Sequence, residues 1–406
     1  MLRCFHQKTP NKERILNMRT KELCHKLLSN TSIHKKRVKV ISEVIETILI
    51  AKEISVTKVG RKMKNKCQTR SNIRKVDRLY SNKHLLQETN IINREIAKFL
   101  IKTDQPLVAI DGSKIPNSRW YILSASLVVE GRSTTLCEVI FERRYYGSPK
   151  LYKKLLLELK SIFPDNTAPI LITDAEFKRP WFEMVDTFGW DYIVRVRGNK
   201  FISVKDEDFQ SMYDFFDQAT HKPKSFGYGF LNIQQEYLGY FYLYKEKPKG
   251  RHAHTRSGRH SETEKSLRNS QSASEPWLLF SSLDLPAEQI IKAYKNRMTI
   301  EENFRDLKSS RYGFGMEMTH SKSKERYKIM LLLARLAATI AYVIGFLAEM
   351  KGFQRHFQSC STRGRRMLSR VYLGCELIYK GWPFRWRDIK IATNLMQDEL
   401  YALFKG

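Results

Sequence analysis

The run Ile329 to Met350, IMLLLARLAATIAYVIGFLAEM, constrains this chain most, because a helix apolar on every side must be covered on every side. It is nearly long enough to cross a bilayer, whose core takes about 20 apolar helical residues. Two charges argue for the other solution. Arg335 lies inside the run and Glu349 near its end, and ionisable side chains are costly at a bilayer's centre. No other segment reads as a span. A buried core helix is expected, with no membrane partner.

Such a helix needs material to cover it. The chain has 406 residues, 42% hydrophobic and 28% charged, enough for two or three domains. Charge is the abnormal feature: 72 Lys and Arg against 42 Asp and Glu leave a net +30. That excess suits a polyanion, since each cation meeting a phosphate releases a counterion and makes binding salt-sensitive. A merely soluble basic surface is the alternative. Cys4, Cys24, Cys67, Cys137, Cys360 and Cys375 contain no CxxC pair. This argues against a structural zinc site or a disulfide framework and suits a reducing cytoplasm. The opening MLRCFHQKTPNKER shows no apolar region of a secretory signal.

From Arg37 to about Leu100 apolar residues recur at three- and four-residue spacing, as in VKVISEVIETILIAKE, which predicts helices. SVTKVGRKM and SNIRKVDRLYSN follow, each opening with a residue able to cap a helix. Between Gly60 and His84 stand Arg61, Lys62, Lys64, Lys66, Arg70, Arg74, Lys75, Arg78 and Lys83, with Asp77 the only acid. Two short helices around a basic turn suggest a helix-turn-helix-like DNA reader, with Arg61, Lys62, Arg74, Lys75 and Arg78 facing DNA. A solvated basic face is the other reading.

At Gln105 the texture changes. PLVAIDGSKI reads as an apolar strand ending in a carboxylate; WYILSASLVVEG and TTLCEVIFERRY read as two more, joined through Gly131 and Arg132. The amphipathic helix SPKLYKKLLLELKSIF precedes a buried strand, PILITDAEF, with Asp174 at its end. A helix from Pro180 and the strand DYIVRVRG complete the series. The order β-β-β-α-β-α-β, with acids closing the first and fourth strands, is that of the ribonuclease-H-like fold, an α/β class.

Residues 199–275 interrupt this scheme. FGYGFLNI and YLGYFYLYKEK read as a β pair, and KPKGRHAHTRSGRHSETEKSLRNSQSAS as a polar, basic loop. Its His252, His254 and His260 invite a metal reading, but no Cys or buried frame accompanies them, and a phosphate-facing loop is the better one. WLLFSSL resumes a strand, Pro286 opens a helix, and residues 351–406 are mixed helical and basic.

That helix, AEQIIKAYKNRMTIEENFRDLKSS, carries chemistry. At ~100° per residue, Arg297, Glu301 and Lys308 fall near ~300°, ~340° and ~320° from Tyr294. One face offers a phenol, a guanidinium, a carboxylate and an ammonium in line, while Ile300, Phe304 and Leu307 point away. An ordinary solvated helix with Arg297–Glu301 pairing is the alternative. Taken singly, Asp111 reads as a turn residue and Asp174 as a strand-terminating cap. Together with Glu301, however, they are three acids from separate elements, able to converge on hard cations such as magnesium. Two such ions suit in-line displacement at phosphorus. Arg297 and Lys308 beside them would grip phosphate.

The run Tyr294-x2-Arg297-x3-Glu301-x6-Lys308 matches the Y-R-E-K signature of bacterial insertion-sequence DDE transposases. The chain resembles the insertion-sequence four family, and within it the transposon-ten type. The likeness continues through VDRLYSNKHL, VAIDGSKI, TDAEFKRPWFEMVDTFGW, VRVRG, EPWLLFSSL and SKERYKIMLLLA, from about residue 55 to 350. The resemblance implies that Asp111, Asp174 and Glu301 are the catalytic and metal-binding triad, with two Mg²⁺ ions that Mn²⁺ can replace. It implies an enzyme that binds its terminal inverted repeats on double-stranded DNA and pairs two ends in a homodimeric synapse. Excision would pass through hairpinned ends, and the 3′-hydroxyls would be joined to target DNA. Trp277 matches the position that stacks a flipped base and Met298 the one that probes the vacated stack; Tyr294, Arg297 and Lys308 would hold the nearby phosphates. A bacterial, cytoplasmic, nucleoid-associated protein is implied. One departure is visible: DAEF carries Glu176 where the transposon-ten type has a glycine. In a strand, Glu176 and Asp174 would share a side.

The expected layout is an N-terminal helical DNA-binding domain (1–104) and a ribonuclease-H-like core in two parts (105–198 and 276–350). A β-rich insertion (199–275) separates those parts, and a C-terminal helical region (351–406) has a possible role in dimerisation. Two alternatives stand beside the transposase reading. One is a ribonuclease-H-like metal-dependent nuclease, such as a junction resolvase, without strand transfer. The other is a non-catalytic DNA-binding regulator or decayed copy.

Overall fold

The computed structural model describes residues 20–232, 236–247, 263–264, 275–359 and 366–402, with the backbone alone at 401–402. His252, His254 and His260, most of their basic loop, the opening segment, Cys4 and Cys360 lie outside the described residues. The four described cysteines are free, three of them buried.

Among the described residues six helices come first: α1 (residues 20–28), α2 (Lys35–Ala51), α3 (Val56–Lys62), α4 (Thr69–Tyr80), α5 (Lys83–Gln87) and α6 (Thr89–Leu100). Then follow β1 (Leu107–Lys114), β2 (Trp120–Val129), β3 (Arg132–Glu142), α7 (Pro149–Ile162), β4 (Ile170–Thr173), α8 (Arg179–Thr187) and β5 (Asp191–Val196). That is the β-β-β-α-β-α-β order expected from the sequence. Next come β6 (Phe201–Val204), β7 (Gln210–Ser211), β8 (Lys224–Leu231), β9 (Tyr237–Tyr244) and β10 (Trp277–Ser281). Five helices close the chain: α9 (Ala287–Lys295), α10 (Met298–Lys308), α11 (Lys324–Met350), α12 (Arg370–Tyr379) and α13 (Trp386–Ala402).

The chain forms two compact units, one from the segment up to Thr167 together with Met298 onward, the other from Ala168–Arg297. In the first unit β1, β2 and β3 make an antiparallel meander. The β2–β3 turn is Glu130–Gly131, one residue earlier than expected, because Arg132 already pairs with Val129. Helix α11 is the run that opened the sequence reading. Ser323 caps it by accepting from Arg326 N at 3.3 Å, and 94% of its most apolar window is buried. Its crossing with α12 is close at two glycines: a Cβ on Gly345 would stand 1.8 Å from the Arg370 carbonyl oxygen, and one on Gly374 2.0 Å from that of Ala341.

Arg335, the charge inside this helix, is buried and answered. Its guanidinium pairs with the buried Glu138 carboxylate on β3 and donates to Asn93 on α6. One side chain thus ties three elements.

In the second unit the strands run in the order β4-β5-β10-β9-β8-β6-β7. β4 and β5 pair in parallel and the remaining neighbours antiparallel. The β8–β9 pair was legible; β6 and β7 were not. A stacked pair, Phe182 on Tyr192 at 5.0 Å, and Phe280 beside Phe241, also 5.0 Å, fill its core.

Several local expectations need correction. The strand with Asp111 does not end there: β1 runs on to Lys114, paired to Tyr121, because the ladder to β2 outweighs the turn preference of Asp-Gly. Ser55 caps α3, accepting from Lys58 N at 3.4 Å. The next helix begins at Thr69 after Gln68, so Ser71 lies inside it and caps nothing. Asn65 and Asn72 exchange side-chain hydrogen bonds (2.9 and 3.0 Å) that hold the turn before it. The helix expected from Ala287 to Ser310 is broken. Asn296 N bonds Ala293 O at 3.1 Å and Arg297 N bonds Tyr294 O at 2.9 Å, tightening the last turn so that α9 stops and α10 starts at Met298.

Removing one partner of a buried ion pair strands the other charge, at about 3–5 kcal/mol. Arg335→Leu and Glu138→Leu are each expected to lower the unfolding free energy read from urea denaturation by that amount, and the double variant by less than their sum.

Candidate active site

The three acids divide between the units: Asp111 and Glu301 belong to the first, Asp174 to the second.

In the first unit, Asp111 sits half-buried within β1, opposite Ser124 of β2. Its Oδ1 accepts from Gly112 N at 2.7 Å. Residues two apart on a strand share a face, so Asp111 and Ser113 point the same way. The Lys308 ammonium meets that face, donating to Ser113 Oγ at 2.5 Å. Burial lowers the Lys308 pKa, while the Asp111 carboxylate pulls it back up. Glu301 is exposed in the first turn of α10, where a negative charge suits the helix dipole. Two turns separate it from Lys308, so both occupy one helix face about 10 Å apart along the axis.

What fixes α10 there was not foreseen. Arg132, at the start of β3, reaches Glu302 (3.3 Å) and Asp306 (3.4 Å), which are four residues apart on the helix. Asn303 Nδ2 donates to Thr135 Oγ1 at 2.7 Å. The register of Glu301 over the meander thus rests on three polar ties from β3. Burial raises the pKa of Asp306, and the Arg132 charge opposes the shift.

In the second unit, Asp174 directly follows β4, as expected. Its Oδ1 accepts from Glu176 N at 2.9 Å, closing a turn. The strand therefore ends before Glu176, and the argument that the two carboxylates share a strand face fails. Tyr294 is buried, with its ring edge-on to Trp277 at 5.4 Å. Burial pushes its phenol up to about 12, with Arg297, Arg195 and Arg197 pulling down and Asp174 pushing up. Those groups therefore share one electrostatic neighbourhood within this unit. Arg195 on β5 and Arg197 just past its end both grip Glu275, at 3.1 Å and through the Arg197 Nε at 2.8 Å. The alternation in VRVRG was the available signal for them.

The break after α9 separates what the sequence aligned. Tyr294 and Arg297 belong to the second unit, Glu301 and Lys308 to the first. The four-residue face of one continuous helix does not exist; each pair is positioned by its own unit. Met298, at the start of α10, is 50% exposed. Within neither unit do the described residues gather three His, Cys, Asp or Glu side chains as a metal site. The donor chemistry nevertheless fits a hard divalent cation, which takes carboxylate oxygens few at a time.

The family model for the transposase DDE domain matches residues 102–340, more than half the chain and inclusive of all three acids. The chain belongs to the DDE transposases. No curated protein matches it. Transposition and DNA recombination through a DDE motif are therefore its business, and DNA is its substrate.

The transposase presents its N-terminal cations on α3 and α4. Arg61, Lys62, Arg74 and Arg78 are exposed, whereas Lys75 is drawn back to Glu43 of α2 and Asp77 is held by Arg326 at 2.8 Å.

Ordinary tyrosines ionise near pH 10. Tyr294→Phe is expected to leave the tyrosinate absorbance titration unchanged between about pH 9 and 11, because the native phenol stays protonated there.

Proposed function

We propose that this transposase is a cut-and-paste enzyme of the insertion-sequence four family, nearest the transposon-ten type. It recognises terminal inverted repeats, pairs two ends as a homodimer, excises the element through hairpinned ends and joins the 3′-hydroxyls to target DNA. It would act at the nucleoid in a bacterial cytoplasm. Asp111, Asp174 and Glu301 are its metal-binding catalytic acids. The observation that carries this reading is the Lys308–Ser113 bond, which sets the helix bearing Glu301 against the strand bearing Asp111.

Two Mg²⁺ ions, with Mn²⁺ as a substitute, would supply activation of the attacking oxygen and charge neutralisation at phosphorus. The remaining roles fall to the protein's own groups. Lys308 contributes a point charge for a phosphate oxygen, and Arg297 a planar fork. The neutral Tyr294 phenol is a donor to a third phosphate oxygen. Trp277 stacks a flipped base, and Met298, already exposed, fills the gap it leaves. Residues 1–104 would read the ends through α3 and α4, residues 199–275 are the β-rich insertion of the core, and residues 351–406 contribute to dimerisation. A nuclease without strand transfer, or a binder without cleavage, is a distinguishable outcome of the test below.

The test is incubation of the full chain with a labelled duplex carrying the element's own end, with Mg²⁺ and then with EDTA. Metal-dependent nicking that proceeds to a hairpin, followed by joining of a 3′-hydroxyl to a second duplex, is expected. Hydrolysis without joining would mean a nuclease, and binding without cleavage a regulator. Asp111→Ala, Asp174→Ala and Glu301→Ala should each abolish cleavage while end binding persists; cleavage retained in any one removes that residue from the triad.

Binding should depend on the N-terminal cations. Combined Arg61→Gln, Arg74→Gln and Arg78→Gln is expected to weaken end binding on the order of tenfold near 0.1 M salt, since phosphate contacts are lost. Lys75→Gln should cost less, because Glu43 already engages that ammonium. Equal losses in a filter-binding titration would contradict this division.

A further inference from the structure

An open groove of about 620 Å³ lies in the first unit where β1 leaves Asp111 and turns into β2. Lys114, Asn117, Arg119, Trp120 and Lys322 line it. We propose that this groove, at the end of β1, seats the phosphate backbone of a DNA strand. The inference rests on the family's DNA substrate and not on the assignment of the three acids.

Trp120 organises the cations. Its Nε1 donates to the Lys322 carbonyl at 3.1 Å, tying the hairpin to the segment that leads into α11. The Arg119 guanidinium lies 4.7 Å from the indole centroid and the Lys324 ammonium 5.8 Å. Lys114 and Lys322 are exposed beside them. Asn117 holds the turn shut, in a left-handed conformation (φ 54°), by donating to the Glu317 carbonyl at 2.6 Å. Trp120 and Asn117 fix the groove wall, and the Lys114, Arg119 and Lys322 side chains stand exposed upon it.

The acids nearby do not neutralise them. Glu142 stands 3.9 Å from Arg119 but is shared with Arg144 at 3.2 Å, and the Arg119 side chain remains 72% exposed. The Glu317 carboxylate is turned to Ser310, accepting from its N at 2.8 Å and its Oγ at 2.6 Å. Glu325 is bonded by Ser323 at 2.8 Å. Crowding shows in Lys324, whose pKa is lowered by burial and by the charge of Lys154. Ser321 Oγ, a buried hydroxyl on the groove wall, has no hydrogen-bond partner among the described residues. Cations whose side chains stay exposed and only partly opposed by acids are what a row of phosphates satisfies.

Position selects DNA over an isolated anion. Three residues of strand carry the chain from Asp111 to Lys114, about 10 Å, or roughly three base-pair rises. The Lys308 ammonium, bonded to Ser113, lies on the Asp111 face of β1, whereas strand alternation turns Lys114 to the other face, toward the groove at the strand's end.

The full chain would be titrated with a fluorescent random-sequence duplex in EDTA across a range of NaCl concentrations. Each phosphate contact contributes about 0.9 to the slope of log Kobs against log salt. The variant combining Lys114→Gln, Arg119→Gln and Lys322→Gln is expected to lower that slope by about 2.7. The charge-keeping set Lys114→Arg, Arg119→Lys and Lys322→Arg should restore it. Arg119→Gln alone, on a largely exposed side chain, should lower the slope by about 0.9 and serves if the triple variant does not fold. An unchanged slope in a folded variant overturns the proposal, as does binding that polyglutamate displaces better than DNA. With metal absent throughout, a protein that never cleaves still answers the question.

Discussion

Everything that positions the first unit's acids leads back to one buried arginine. An apolar helix such as α11 slides easily against apolar neighbours, because dispersion and burial have no direction. Arg335 removes that freedom. Its buried charge must be paired where it lies, and the register seen here meets Glu138 on β3 and Asn93 on α6 through both terminal nitrogens. With β3 fixed, β2 and β1 follow through the ladder, and Asp111 with them. Arg132 and Thr135, also on β3, then seat α10, and Glu301 with it. The two acids are placed by a chain of polar ties that begins well away from either.

Much of this architecture was legible because period and length are local. The alternation of β2 and β3, the amphipathic spacing of α7 and the charge inside the apolar run each announced themselves. The break between α9 and α10 did not. No glycine or proline marks Asn296–Arg297, and every residue from Lys292 to Glu302 is compatible with helix. Asn296 decides the matter by turning its side-chain amide back to the Lys292 carbonyl at 3.0 Å while the backbone tightens. Helix propensities differ by fractions of a kcal/mol, too little to foretell which turn yields. The same weakness hid β6 and β7, short strands that are held by their neighbours, β6 by β8 and β7 by β6, and not by their own composition.

The site was legible where chemistry is carried by residue type. Carboxylates at Asp111, Asp174 and Glu301, and cations at Arg297 and Lys308, could be picked from the sequence because few residues serve such chemistry, and the family match encloses them all. Their supports could not. Arg132, Asn303 and Glu275 look like any surface polar residues until a partner far along the chain is placed beside them. Arg195 and Arg197 show the intermediate case: alternation put them on one face, but only Glu275 reveals that the face is an ion-pair cluster. The helical-wheel argument around Tyr294 rested on a continuous helix, and the helix it assumed is two.

The net charge of +30 takes on a different meaning once the paired cations are set aside. Arg370 is enclosed by Glu130, Glu349 and Glu399, with 2.7 Å to Glu349 and 2.5 Å to Glu399. Lys52 closes on Glu376 and Arg37 on Glu88. These cations are structural, and they consume acids that would otherwise dilute the surface potential. Acids spent inside leave the exposed cations of α3 and α4, and those around Trp120, with few local opponents. A basic protein that used its carboxylates evenly over its surface would bind DNA everywhere and weakly. Concentrating the acids in core ties and in the proposed metal site leaves the positive field to a few faces, and that is how one excess of charge can both hold a fold together and direct a polyanion across it.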